Sequence, residues 1–222
     1  MANQAPAPTQ GRTTLSEHQS KEFLRQWGIP CTREALAHTP QEAAALAGDL
    51  GFPVAVKASG AELAHKSDLG LVELDLRGPE EVEAACLRLL ARSPGLTEFL
   101  VLEMVPGRRE LIAGLVRDPL YGPAVMLGLG GVMAEALGDV VFRVAPLSQD
   151  DALDMMEELK SRKLLGQFRG EPALIRPALA ELLVTLGQIG LEAPQVAEID
   201  LNPLKIAQGR PVAVDALVVM EG

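Results

Sequence analysis

Lys57 closes the apolar run PVAVKA (Pro53 to Ala58), and a buried ammonium is costly without an anionic partner. A bound phosphate is one such partner; the other reading is a strand-end lysine whose head reaches water. Near the C-terminus, Glu198, Asp200 and Asn202 alternate within EIDLNPL, which puts their side chains on one face of a strand. Asp215 follows within a second apolar run, VAVDALVV. Hard oxygen ligands on adjacent strands suit Mg²⁺, which keeps several waters and takes further oxygens from substrate phosphates. A solvated strand face with an aspartate at a bend is the alternative. The glycine-rich GLGG (Gly128 to Gly131) resembles a phosphate-cradling turn. It matches neither G-x-G-x-x-G, because Met133 takes the last glycine position, nor the Walker A ending; a tight structural turn is an equal reading. His65 is followed by Lys66 and Asp68 in AELAHKSDLG. A neutral imidazole can attack phosphorus and hold a phosphoryl group, whereas by residue type alone His65 is an exposed loop histidine, as His18 and His38 are surface histidines.

Those residues need scaffolding, and the elements that supply it are marked by their own signals. Ser16 and Gln19 form a capping box for a helix through Trp27 that Gly28 and Pro30 end. Thr39, Pro40 and Glu42 open a second helix that stops at Gly51. Strands follow at PVAVKA and at LVELDL, where Leu71, Glu73 and Asp75 alternate with Val72, Leu74 and Leu76. GPEEVEAACLRLLAR is helical, with Val82, Cys86, Leu89 and Leu90 on one side. EFLVLEMV is a buried strand that breaks at Pro106-Gly107, with RELIAGLV as its antiparallel partner and a change of lobe nearby. Two strands around the glycine turn, a helix from Ser148 through Lys160, a second apolar helix at RPALAELLVTLGQIG, and a terminal set of strands with a Gln-Gly turn complete the chain. This mixed order favours α+β lobes over a doubly wound sheet.

The 222 residues are 48% hydrophobic, ample for a packed core. A net charge of -10 excludes binding to a phosphate backbone through clustered Lys and Arg, so any anion must meet a local site. Cys31 and Cys86 have no metal-ligand spacing and read as reduced thiols. The opening MANQAPAPTQGRTT has no apolar core of a signal peptide, and no run approaches the ~20 apolar residues of a membrane span. These features predict a soluble cytoplasmic protein with residues 1–14 as a disordered tail.

In order, LSEHQSKEFLRQWGIP, GFPVAVKASG, HKSDLG, FLVLEMVPGRRELIAGLVRDPLYGP, MLGLGGVMAE, FRVAPL and AEIDLNPL with VAVDA resemble the ATP-grasp part of nucleoside-diphosphate-forming acyl-CoA synthetases, the ADP-forming acetyl-CoA synthetases. More remotely the chain is similar to the nucleotide-binding subunit of succinyl-CoA synthetase. The resemblance runs from about Leu15 to the C-terminus and implies an α+β ATP-grasp fold in which two lobes hold ATP or ADP between them. Residues 15–28 would be a helix packing on the larger lobe, 29–103 the smaller lobe, and 104–222 the larger lobe with the metal site. Lys57 would bind phosphates, Glu103, Met104 and Val105 would line the adenine through their backbone, Glu110 would lie near the ribose, and Asn202 and Asp215 would hold Mg²⁺. His65 would be the phosphohistidine, with Lys66 and Asp68 beside it.

The resemblance also implies a CoA-binding alpha-type partner subunit carrying a second phosphohistidine, through which acid and CoA arrive, because this chain lacks both of those domains. No nucleic acid or membrane partner is implied. One departure is Leu71, which stands where the histidine loop usually has a second glycine. Two rival readings stay open at this level: a regulatory module that senses nucleotide without transferring phosphate, and another ATP-grasp ligase that forms an acyl phosphate directly and has no need of His65.

Overall fold

A computed structural model describes residues 11–59, 71–131 and 138–222. The chain opens with β1 (Arg12–Thr14) and α1 (Glu17–Gln26). It then builds β2 (Glu34–Ala37), α2 (Pro40–Leu50), β3 (Val54–Ser59), β4 (Val72–Leu76), α3 (Pro79–Arg92) and β5 (Glu98–Glu103). A second group holds β6 (Glu110–Asp118), β7 (Gly122–Leu129), β8 (Val140–Val144), α4 (Gln149–Glu158), a 3-10 turn (Arg162–Leu165) and α5 (Arg176–Glu192). The chain ends with β9 (Val196–Ala207), β10 (Arg210–Ala213) and β11 (Ala216–Glu221). No helix among the described residues is long and apolar enough to cross a membrane.

The first group forms a four-stranded antiparallel sheet in the order β2-β5-β3-β4. One face, with Val54, Val56, Ala58, Phe99 and Val101, packs with Ala43, Ala47, Val82, Cys86 and Leu89 of α2 and α3. Strand alternation sends Ala55, Lys57 and Ser59 the other way, onto the face that carries Leu100 and Leu102. That face looks toward the rest of the molecule, and so Lys57 does too.

The strands of the second group join β1 and the C-terminal strands in a seven-stranded sheet in the order β1-β11-β9-β6-β7-β8, with β10 also paired to β9. Helices α4 and α5 cover one face, and Met155, Met156, Leu179, Leu183, Leu186 and Ile189 fill the core beneath them. Close packing of α5 depends on Gly190, where an added Cβ would lie 2.6 Å from the Pro123 Cβ.

Two sequence expectations change here. Arg12–Thr14, placed in the disordered tail, are strand β1, paired with Val219 to Glu221 at an edge of the large sheet; residues 1–10 lie outside the described residues. EFLVLEMV and RELIAGLV do not pair with each other. β5 already has β2 on one side and β3 on the other, so it has no free edge, and Met104–Arg109 carries the chain across to the large sheet, where β6 lies between β7 and β9. Periodicity identifies both as strands but carries no information about which neighbours saturate their edges.

Helix α1 sits where the two sheets meet. Ser16 Oγ accepts from the Gln19 amide, and the Gln19 side chain accepts from the Ser16 amide. The Val218 amide of β11 donates to Ser20 Oγ, fixing the helix to the large sheet, and Leu24 enters the large core.

Candidate functional site

The buried face of α1 carries Glu17, Ser20, Lys21 and Leu24, the i, i+3, i+4, i+7 spacing of a core-facing stripe. Two of these four are charged, and both are satisfied. Lys21, with 0% exposure, donates to Glu17 Oε1 at 2.9 Å, Thr32 Oγ1 at 3.0 Å and Glu34 Oε2 at 2.9 Å. The other Glu34 oxygen meets His18 Nδ1 at 2.9 Å and lies 3.6 Å from the Arg25 guanidinium. The same Glu17 Oε1 accepts from Lys57 Nζ at 2.8 Å, and Lys57 also donates to Asp215 Oδ2 at 2.8 Å.

This chain of contacts sets aside the water-facing reading of Lys57, and it supplies the anionic partners from the protein itself. Its head is drawn inward by two carboxylates, one from α1 and one from the turn before β11, rather than reaching out to water. Burial alone would lower its pKa; the Glu17 and Asp215 carboxylates outweigh burial and hold it above the ordinary lysine value. The ammonium is therefore fixed and charged, and one of its two partners belongs to the opposite sheet. Ser59, two residues along the same strand face, has a buried hydroxyl without a hydrogen-bond partner among the described residues.

Asp215 lies in the turn between β10 and β11 and not inside a strand as its apolar flanks suggest. Val214 donates its amide to the Pro203 carbonyl, and the registers on either side pair Ala213 with Leu204 and Ala216 with Leu201. That continuity sets Asp215 beside Asn202. Along β9, Ile199 and Leu201 enter the core, so Glu198, Asp200 and Asn202 share the opposite face, the solvated side except for the half-buried Asp200. Burial raises the Asp200 pKa to about 6, and the neighbouring Glu198 and Asp215 carboxylates push it the same way. The donors at this corner are hard oxygens in an excess of negative charge, the chemistry that Mg²⁺ takes. No three His, Cys, Asp or Glu side chains among the described residues are grouped so as to hold a metal ion by themselves.

The remaining expected residues make contacts of their own. Glu103 ends β5, and its carboxylate accepts from the Arg33 amide and Arg33 Nε, both at 2.8 Å, so its side chain clamps the segment after α1. The Glu103 and Met104 amides go to the Arg33 and Pro53 carbonyls. Among the described residues no backbone hydrogen bond engages the Met104 carbonyl or the Val105 amide. Glu110 begins β6, 3.7 Å from Lys205, and its carbonyl accepts from the Gly130 amide at 2.8 Å. GLGG is thus folded against Glu110: a Cβ at Gly130 would come within 2.8 Å of the Leu111 carbonyl oxygen, a contact only glycine permits.

His65, Lys66 and Asp68 lie outside the described residues. Where the chain resumes, Leu71 is a buried residue of the small core and its carbonyl accepts from the Ala58 amide; packing explains this departure from glycine. His18 differs from its surface reading, because it is hydrogen-bonded to the fully buried Glu34 side chain. The site residues that sequence reasoning missed are Glu17, Lys21, Thr32 and Glu34. A signal was present for the first two: a glutamate and a lysine four apart on the apolar face of a capped helix.

The ATP-grasp domain family matches residues 6–220. Acetate–CoA ligase [ADP-forming] I subunit beta of Pyrococcus furiosus is 38% identical over 212 residues, covering 93% of this chain and 91% of that subunit. Acetate–CoA ligase [ADP-forming] I of Archaeoglobus fulgidus is 36% identical over 203 residues, 89% of this chain and 30% of that longer one. The chain thus spans nearly all of the separate subunit and under a third of the longer enzyme. Among solved structures, acetyl-coenzyme A synthetase 1 of Ca. Korarchaeum cryptofilum, in complex with coenzyme A and Ca-AMPCP, aligns with a TM-score of 0.90 at 41% identity over 94% of both chains. A second structure of that enzyme, with coenzyme A and Mg-AMPPCP and its phosphohistidine segment pointing towards the nucleotide binding site, aligns with a TM-score of 0.83 at 41% identity over 94% of this chain and 93% of that one.

Proposed function

The chain belongs to the ATP-grasp domain family, and on that premise we propose that it is the nucleotide-binding subunit of an ADP-forming acyl-CoA synthetase, passing a phosphoryl group between a phosphohistidine and Mg-ADP or Mg-ATP. The observation that carries this reading is the Lys57 to Asp215 contact across the two sheets, with Asn202 beside it. It puts a fixed cation and hard oxygen donors at one point between the lobes. The similarity to a separate beta subunit and to part of a longer enzyme supports a CoA-binding partner that supplies the remaining chemistry and a second phosphohistidine.

On this reading acyl-CoA, phosphate and ADP give acid, CoA and ATP, reversibly. The acyl phosphate forms on the partner, its phosphoryl group moves to the partner's phosphohistidine, and His65 takes it from there to the nucleotide. A terminal oxygen of ADP then attacks phosphorus, the P–N bond breaks, and its electron pair returns to the ring nitrogen; the imidazole leaves neutral because its other nitrogen keeps its proton. Lys57, with the Ser59 hydroxyl on the same face, meets the phosphate oxygens, while the Met104 carbonyl and Val105 amide are free to read the edge of the base. Glu110 borders the ribose. Asn202 and Asp215 would hold Mg²⁺, which would supply charge neutralisation at the phosphates. The protein's contribution is positioning and electrostatics, as in other phosphoryl transfers.

The test is incubation of the full chain with terminally labelled ATP and Mg²⁺. Acid-labile, base-stable label on wild type and none on His65→Ala supports the reading, and equal label on both removes His65 from it. In parallel, calorimetry with Mg-ADP should show binding to wild type that Asp215→Ala loses; unchanged binding by that variant overturns the metal assignment.

A further inference from the structure

We infer that Glu17 is a positioning residue for the proposed phosphate-binding lysine, and that Lys21, Thr32 and Glu34 form the frame that holds Glu17 for that task. The inference rests on the reading of Lys57 given above and adds a helix that no nucleotide contact requires. Lys57 has a long, flexible side chain, and among the described residues the face of β3 on which it stands carries Ala55, Leu100 and Leu102 with the uncharged Ser59 two residues along. Its direction is set from outside its own sheet. One partner, Asp215, is also the donor proposed for the cation, so that contact weakens as the ion draws on the same carboxylate. The contact that remains is Glu17.

Glu17 can serve as a fixed point because it is itself held. Its Oε1 accepts from both ammoniums, at 2.9 Å from Lys21 and 2.8 Å from Lys57. Lys21 is tied in turn to Thr32 and Glu34, just ahead of and within β2. Among the described residues, charged groups that meet this row include His18 and Arg25 from α1, both at Glu34, and Asp215 from the turn before β11. The capping box fixes the start of α1 one residue before Glu17, and the Ser20 hydroxyl fixes the helix to β11. The row thus runs from the small sheet through α1 to the large sheet. When Asp215 turns to the cation, Glu17 keeps Lys57 aimed into the cleft; without the Glu17 charge, Lys57 relies on Asp215 alone and withholds that carboxylate from the ion.

The test uses Glu17→Gln in the full chain. Affinity for Mg-ADP is expected to fall by about tenfold or more while affinity for adenosine, which has no phosphate for Lys57 to meet, stays within about twofold. Equal loss for both ligands means a structural role only, and no loss for either means no role; each overturns the inference. A second readout needs no nucleotide. Under competitive acetylation, Lys57 of the variant should react about fivefold or more faster relative to exposed Lys163 than in wild type, as expected of an amine released from its partners. An unchanged ratio overturns the inference whatever happens with ADP. Failure of wild type to bind ADP would instead strike the functional reading, leaving the acetylation ratio to decide on Glu17. Should Glu17→Gln fail to fold with two ammoniums left facing each other, Glu17→Gln combined with Lys21→Met removes opposite charges together and is expected to give the same two results.

Discussion

Replacing Lys21 with methionine keeps the length of the stem and removes a single charge from the row at α1. Lys21 has 0% exposure and makes three hydrogen bonds of 2.9 to 3.0 Å. Breaking a buried ion pair from one side typically costs 3–5 kcal/mol, because an uncompensated charge stays behind. Here the loss is moderated: Glu17 keeps Lys57, and Glu34 keeps His18 with Arg25 at longer range. The lower end of that range, about 3 kcal/mol, is therefore expected, which for a chain of this size lowers the melting temperature by roughly 6–12 °C. Adding Glu34→Gln removes the carboxylate that Lys21 leaves behind, so the double variant should melt higher than Lys21→Met alone. Thermal unfolding followed by circular dichroism reads both. A single variant within about 2 °C of wild type, or a double variant no more stable than the single, would refute the argument that these charges depend on one another.

Other expectations follow from contacts away from the cleft. Arg109 is buried and spans Glu171 and the carbonyls of Leu164, Gly166 and Pro172; Arg109→Met should cost about 3 kcal/mol and speed hydrogen exchange at the Leu174 amide, which bonds the Leu165 carbonyl, and unaltered exchange there would contradict it. Gly130→Ala should cost about 1–3 kcal/mol by crowding the Leu111 carbonyl at 2.8 Å, visible as a lower melting temperature. Glu73 bridges β4 to Arg88 and Arg92 of α3, and hydrogen bonding to Arg88 holds its carboxyl below the usual range. Its contribution is then present above the unfolded carboxylate pKa and lost as pH falls through the lower folded value. Because both arginines are nearly half exposed, Glu73→Gln should cost no more than about 1 kcal/mol at neutral pH, a difference that closes in acid; urea midpoints that differ equally at neutral and acid pH would sink this assignment.

Local signals in the sequence were strong where the structure is local. The two capping residues Ser16 and Thr39 were readable, as were the stop at Gly51 and the alternation of Glu198, Asp200 and Asn202, because each depends on neighbours a few residues away. The ordered motifs also pointed to the family that the comparisons bear out. What the sequence could not supply was pairing at long range. RELIAGLV looked like the return strand of EFLVLEMV because a proline and a glycine lie between them, yet β5 was already closed by β2 and β3. Lys57 meets Asp215 across 158 positions and Glu17 across 40, separations that no window sees. The Glu17 and Lys21 pair is legible as a pair but not as a buried one. An i, i+4 ion pair on a helix is ordinarily a solvent-facing feature, and only the docking of α1 between two sheets turns it inward.

The same row of charges bears on why the proposed ligand would need a metal. Lys21 and Lys57 face Glu17, Glu34 and Asp215, and Arg25, which also pairs with Glu22 at the surface, adds one more cation at the rim. Positive charge inside the cleft is thus already matched by carboxylates, and Glu198 and Asp200 add negative charge next to Asp215. A nucleotide polyphosphate entering such a space meets no surplus of cations among these described residues. It can release Lys57 from Asp215, but it then leaves that carboxylate unpaired beside Asp200, at a real electrostatic cost in a partly buried place. A divalent ion would meet both demands, with Asp215 among the residues that would hold it and its charge set against that of the phosphates. On this reading Mg²⁺ dependence follows from charge balance, and a nucleotide without the ion should bind far more weakly than the same nucleotide with it.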